Sequence, residues 1–274
     1  MKATFEVLEK LLSAYCIESF GNSEEEIAEK EAESGIKFPK SLRDYYKKFG
    51  KCNYITKSCN NQYEPLLLYE FFIPGEDFFT SDKDYLVFYQ CVESMIYCGI
   101  KFTDLRLEDP PVYICVWDKP GWYLENISLI NFLVCKALIQ IAVEARLPYW
   151  VYFRENIWKL SDYRKAWQIC DSYNEIEEST TTPAWKIFIK DDVLIVFESV
   201  QNENEEYITG VSLASFDKEN IKKCCSEKHR QVNCLNIKQI CHLVRYRNTG
   251  TVWNRVFICA WDNHLSSFCC LSFI

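Results

Sequence analysis

The stretch DYLVFYQCVESMIYCGIKFTDLRLEDPPVYICVWDKPGWY, Asp84 to Tyr123, decides the fold. Tyr85 to Gln90, Met95 to Ile100 and Val112 to Trp117 are short runs of β-branched and aromatic residues, the composition that suits a pleated, half-buried backbone. Glu93-Ser94 and Asp109-Pro110-Pro111 punctuate them, so three strands of one sheet are predicted. Connections this short leave little room for crossover helices, which favours antiparallel pairing.

Downstream, Ser128 can cap a helix reaching about Ala145, with Leu129, Phe132, Leu133, Ala137 and Ile141 as an apolar stripe that needs a sheet to cover it. Upstream, helical signals dominate. Phe5, Leu8, Leu12 and Tyr15 follow a 3.6-residue period in a helix running to about Ser19. Ser23 followed by Glu26 is a capping box that opens a second helix, closed at Gly35. Pro39 begins a third, in which Leu42, Tyr45, Tyr46 and Phe49 recur at helical spacing before Gly50. The second and third helices form a hairpin. After Pro148 we expect a helix around Ile157 to Cys170 and an exposed acidic loop over Asp171 to Thr182. Strands are expected over Trp185 to Ile189, Val193 to Phe197 and Tyr207 to Leu213.

With 274 residues, 49% hydrophobic and only eight Gly and eight Pro, the chain is globular rather than disordered or collagen-like. Its net charge of −8 opposes non-specific binding to nucleic acid or anionic membranes and suits a basic partner. The 15 cysteines are odd in number. No export signal precedes them, since Glu6 and Glu9 interrupt any apolar leader, so free buried thiols and a cytoplasmic location are expected. The most apolar segment, Ile127 to Val143, is broken by Asn131, Lys136 and Gln140 and is too short for a comfortable bilayer span.

No Gly-rich phosphate loop, G-x-S-x-G elbow or H-E-x-x-H pair occurs, and His229, His242 and His264 all lie in the last fifty residues. No catalytic residues, metal or cofactor are therefore expected, and the chain reads as a non-enzyme. The acids of Glu24 to Glu33 read as a solvated helix face, or alternatively as a polyanion mimic offered to a basic partner. Cys224, Cys225, His229, Cys234, Cys241 and His242 cluster without the usual zinc-ligand spacing. Trp117 and Trp122, at a strand end and in the turn after it, suit core packing better than an interface anchor. Residues Cys224 to Ile274 hold seven of the cysteines and six Lys/Arg against two acids. They read as a basic extension of uncertain order appended to one α+β domain over residues 1–223, whose removal after Ser226 should leave a cooperative fold.

GIKFPKSLRDYYKKFG, Gly35 to Gly50, resembles the amphipathic signature of the SUKH superfamily, which groups Smi/Knr-like fungal cell-wall assembly regulators with bacterial toxin-immunity proteins. Asp84 to Tyr123 and SLINFL, Ser128 to Leu133, resemble its strands and following helix more closely. The resemblance runs from about Glu24 to Val143, weakens through the later strands and is absent beyond Cys224. In the turn after the first strand the family's acidic-amide pattern is replaced by Gln90, Cys91, Val92 and Glu93.

The resemblance implies a single α+β domain with a central, largely antiparallel sheet packed by helices on one face. It also implies a non-enzymatic, protein-binding function: a cytoplasmic immunity protein that occludes the active surface of a cognate toxin. The alternatives are a regulatory scaffold of the cell-wall type and a thiol-dependent enzyme using Cys91. The expected contact residues are Glu93, Asp104, Asp109 and Trp122.

Overall fold

Two local patterns organise the N-terminal helices. In the computed structural model, Ser23 Oγ accepts from the Glu26 amide at 3.2 Å while Glu26 Oε2 accepts from the Ser23 amide at 2.8 Å, the reciprocal cap expected at that position. Gly35 then takes φ +68°, the left-handed conformation in which a side chain is strained, and ends the helix. The residues described are 2–14, 20–56, 63–76, 78, 80, 82–91, 95–143, 147–159, 174–176, 185–190, 192–202 and 205–224. Glu93, residues 160–173 and nearly all of the C-terminal extension lie outside them, as does every member of the Cys/His cluster except Cys224.

The helices are α1 (Phe5–Ser13), α2 (Glu24–Ser34), α3 (Lys40–Phe49), α4 (Asn53–Thr56) and α5 (Leu129–Val143). Residues 218–224 are also helical. A first antiparallel sheet has the order β1 (Tyr63–Pro65), β2 (Tyr85–Cys91), β3 (Ile96–Lys101), β4 (Val112–Val116), β5 (Lys119–Asn126). The three strands read from Asp84 to Tyr123 are all present, and each neighbouring pair is antiparallel. The α+β class is as expected.

The strands after Pro148 build a second antiparallel sheet. It comprises β6 (Tyr149–Lys159), β7 (Asn174–Ile176), β8 (Lys186–Lys190), β9 (Val193–Asn202) and β10 (Glu205–Ser215), in the order β6-β10-β9-β8-β7. Two local expectations need correction here. Ile157 to Lys159 belong to β6 rather than to a helix, because the aromatic and β-branched run from Tyr149 pairs with β10 as far as Tyr207↔Lys159. Within the expected acidic loop, Asn174 to Ile176 instead form β7 and pair with β8.

α5 explains how the sheets share one core. Its sequence, LINFLVCKALIQIAV, is apolar on nearly every side, and a helix of that kind must be covered all round. Phe88 and Tyr89 of β2 meet Phe132 edge-on at ring distances of 6.0 and 5.2 Å, and α5 also packs against α1, α3, α4 and strands β8, β9 and β10. Leu194, Val196, Ile187 and Ala214 of the second sheet therefore join Leu8, Leu42, Phe49 and Phe88 in a single hydrophobic cluster. Leu42, Tyr45, Tyr46 and Phe49 are all buried, as the helical period of α3 requires.

Candidate contact surface

Trp122 lies within β5 rather than in a turn, with Cys115 as its cross-strand partner. Its indole stacks on Tyr85 at 4.1 Å and 15°, and the indole N–H donates to the Asp82 carbonyl at 3.0 Å. Gly99 makes room for it. A Cβ there would stand 3.3 Å from the indole ring and 3.0 Å from the Leu86 carbonyl. Burial pushes the Cys115 thiol up to about 11, and it also raises the Tyr85 phenol well above its ordinary range. Trp122, partly buried, is thus held in place by an aromatic layer.

The two acids of the following loop are held as well. Asp104 accepts from the Tyr113 hydroxyl at 3.1 Å and from Thr103 Oγ1 at 3.3 Å. Burial, then this hydrogen bond, raises the Tyr113 phenol. Asp109 accepts from Ser128 Oγ at 2.6 Å and from the Ile130 amide at 2.9 Å, while Ser128 Oγ accepts from the Asn131 amide at 3.1 Å. A carboxylate and a hydroxyl therefore cap α5 together, and the carboxylate suits the positive end of the helix. The Glu108 carbonyl accepts from the Ser41 amide at 2.9 Å and ties the same loop to the start of α3. Arg106 and Leu107 are left exposed at its tip.

The acids of α2 divide into two sets. Glu24 pairs with Arg43 and Lys47, and Glu26 with Lys51 at 2.7 Å, all cations of α3 and its end. Glu31 is buried, with Arg43 Nη1 at 2.7 Å, Lys37 Nζ at 2.9 Å and the Phe38 amide at 2.9 Å. Burial alone would raise its carboxyl, yet these three donors outweigh that effect and hold it below the ordinary carboxylate range. Three of the helix's six acids are thereby paired with cations beyond the helix. Glu25, Glu29 and Glu33 remain exposed on the helix surface, the last with Lys30 Nζ at 3.2 Å.

Cys52, Cys98, Cys115, Cys135 and Cys224 are buried cysteines outside any disulfide, as expected for them. The Cys91 side chain lies outside the described residues. Among the described residues no group of His, Cys, Asp and Glu is arranged to hold a metal, and no helix is long and apolar enough to cross a membrane.

Sequence reasoning missed the large side chains that stay at the surface. Tyr69 is 71% exposed, Trp117 66%, and Met95 and Tyr123 about half exposed. The Trp117 amide donates to the Met95 carbonyl at 2.9 Å, so the hairpin after β4 sits beside the start of β3, two residues beyond Glu93. The Asp118-Lys119 pair after Trp117 could have marked it as a turn residue; nothing in the local sequence distinguishes Tyr69 from the buried Phe71.

Residues 21–135 match the model of the SMI1 / KNR4 family (SUKH-1). The match covers α2, α3, α4, the whole first sheet and the first half of α5, and stops short of the second sheet. No curated protein and no solved structure matches the chain.

Proposed function

We propose that this chain, whose residues 21–135 match the model of the SMI1 / KNR4 family (SUKH-1), is a non-enzymatic protein-binding module acting in the cytoplasm, an immunity protein that blocks the active surface of a cognate toxin. The match supports an immunity or cell-wall-regulator type of protein; the toxin is the finer step. The observation that carries the reading is the division of labour within the matched unit. Asp104, Asp109, Glu31 and Trp122 are engaged in bonds that hold the fold, whereas Tyr69, Met95 and Trp117 stand at the surface of the same unit. Large apolar side chains kept exposed on a rigid scaffold favour recognition of another macromolecule.

Glu93, two positions before Met95 in the sequence, is proposed as a contact residue. Asp104, Asp109 and Trp122 are proposed to shape the surface from behind. Residues 1–223 are proposed as the functional unit, with 224–274 appended.

Co-expression with each toxic product encoded beside the gene tests this reading. Rescue of growth by at least one pairing, with a stoichiometric complex on gel filtration, is expected. Failure of every pairing to rescue or to form a complex overturns it.

A further inference from the structure

One surface of the matched unit joins exposed apolar groups to exposed carboxylates: Glu29, Glu33 with its partner Lys30, and Glu70, which accepts from the Leu67 amide at 2.8 Å. The chain after β1 makes a single 3-10 turn, Leu68–Glu70, with Leu68 buried and Tyr69 pointing outward. Phe71 turns back in and packs on Phe38 and Tyr46 at ring distances of 5.5 and 4.9 Å, and Ile73 is again exposed, at 41%. Tyr69 and Ile73 thus stand exposed on either side of the buried Phe71, which anchors the backbone between them.

The anchor is Lys30 of α2. Its side chain is nearly buried, and Nζ donates to the Tyr69 carbonyl at 3.1 Å and to Glu33 at 3.2 Å. That contact brings the outer edge of α2 against the turn. Glu33 stands beside Tyr69, Glu29 lies one helical turn before Glu33 on the same face, and Glu70 is exposed next to Tyr69. Arg43 and Lys47 neutralise Glu24 and Glu31 on the opposite edge of α2 and Lys51 neutralises Glu26 at its start, which leaves Glu29 and Glu33 as the exposed acids of the Tyr69 side.

We propose that Tyr69 and Ile73, rimmed by Glu29, Glu33 and Glu70, form the docking surface for a partner protein with a basic patch around a small apolar pocket. The proposal rests on the protein-binding reading above and adds where the partner sits and what its surface must offer. Tyr69 supplies a large anchor on two rotatable bonds, and the Lys30 contact to its carbonyl fixes the backbone before the partner arrives. The carboxylates choose a basic partner and speed its approach. Screening should then weaken the contact, since these carboxylates face water.

The test uses the full-length, 15N-labelled protein and, as probe, a short arginine-rich peptide with one central leucine. Chemical-shift changes should concentrate at residues 68–73 and along the Glu29–Glu33 face. Affinity should fall about tenfold or more in the double variant Tyr69→Ala/Glu33→Lys, the loss typical of an interface anchor. Ile127→Ala, at an apolar residue 65% exposed between β5 and α5, should bind as the parent does, and a peptide with glutamine in place of arginine should bind weakly. Shifts centred on Trp117 or spread over the whole surface overturn the proposal, as does unchanged affinity in a double variant that keeps the parent's circular dichroism and Tm. Growth rescue is read separately. If the parent rescues no toxin, the antidote function fails while the peptide map still decides this surface; if it does rescue, the double variant should not.

Discussion

Glu31→Gln is the most informative single change, because it removes a charge while keeping the shape of the side chain. The Glu31 side chain is 1% exposed and receives Arg43, Lys37 and the Phe38 amide. Removing one partner of a fully buried ion pair costs about 3–5 kcal/mol. Here the partners are wetter. The side chain of Lys37 is 86% exposed and that of Arg43 29%, and Arg43 keeps Glu24, so neither cation is stranded. Gln can also still accept from the Phe38 amide. A loss of about 2 kcal/mol is therefore expected, which is roughly 4–8 °C in Tm for a unit of this size.

The sign of the pH dependence follows from the lowered carboxyl of Glu31. A carboxylate whose folded pKa lies below its unfolded value stabilises the fold fully above the unfolded value, about 4.3, and loses that contribution as pH falls through the folded value. The gap between parent and variant should therefore be constant near neutrality and shrink below about pH 4. Urea unfolding followed by tryptophan fluorescence at pH 7, 5 and 3.5 measures it. A gap under about 0.5 kcal/mol at pH 7, the range of an ordinary surface substitution, would refute the reasoning. So would a gap that does not change with pH.

Two further outcomes follow from close approaches and caps. Gly21→Ala places a Cβ 1.7 Å from the Lys47 carbonyl oxygen, a backbone atom that cannot swing aside, and should cost more than about 3 kcal/mol; Gly35→Ala, with φ +68° but open space around it, should cost only about 1 kcal/mol, and thermal unfolding of the pair compares them. Asp109→Ala removes the acceptor for Ser128 Oγ and the Ile130 amide and should lower stability by about 1–2 kcal/mol, with amide exchange faster at the start of α5; unchanged exchange there would separate Asp109 from the cap.

The local sequence already contained the elements that depend on neighbours a few positions apart. The capping box at Ser23 and Glu26, the buried row Leu42, Tyr45, Tyr46 and Phe49, and the strands of Asp84 to Tyr123 arise from helical and pleated periods, which a single chain displays without its partners. The likeness to the SUKH superfamily was legible over the same residues, and the family match at 21–135 falls on them. β5 was less legible because Lys119-Pro120-Gly121 reads as a turn, yet pairing with β4 continues it as a strand.

Tertiary structure decided what each polar and aromatic residue does. Glu31 and Glu33 are two positions apart on one helix, yet only Glu31 faces Arg43, twelve residues further on, and becomes a buried ion-pair acceptor. Trp122 finds Tyr85 and the Asp82 carbonyl, and so is held partly buried, while Trp117 is turned outward by a hairpin five residues earlier. The sequence of α5 demanded cover on every side without saying what would supply it; β2 and the second sheet do so from parts of the chain about forty residues before it and more than forty after it. Exposure and ion pairing depend on groups remote in sequence, and local periodicity carries no record of which remote group arrives.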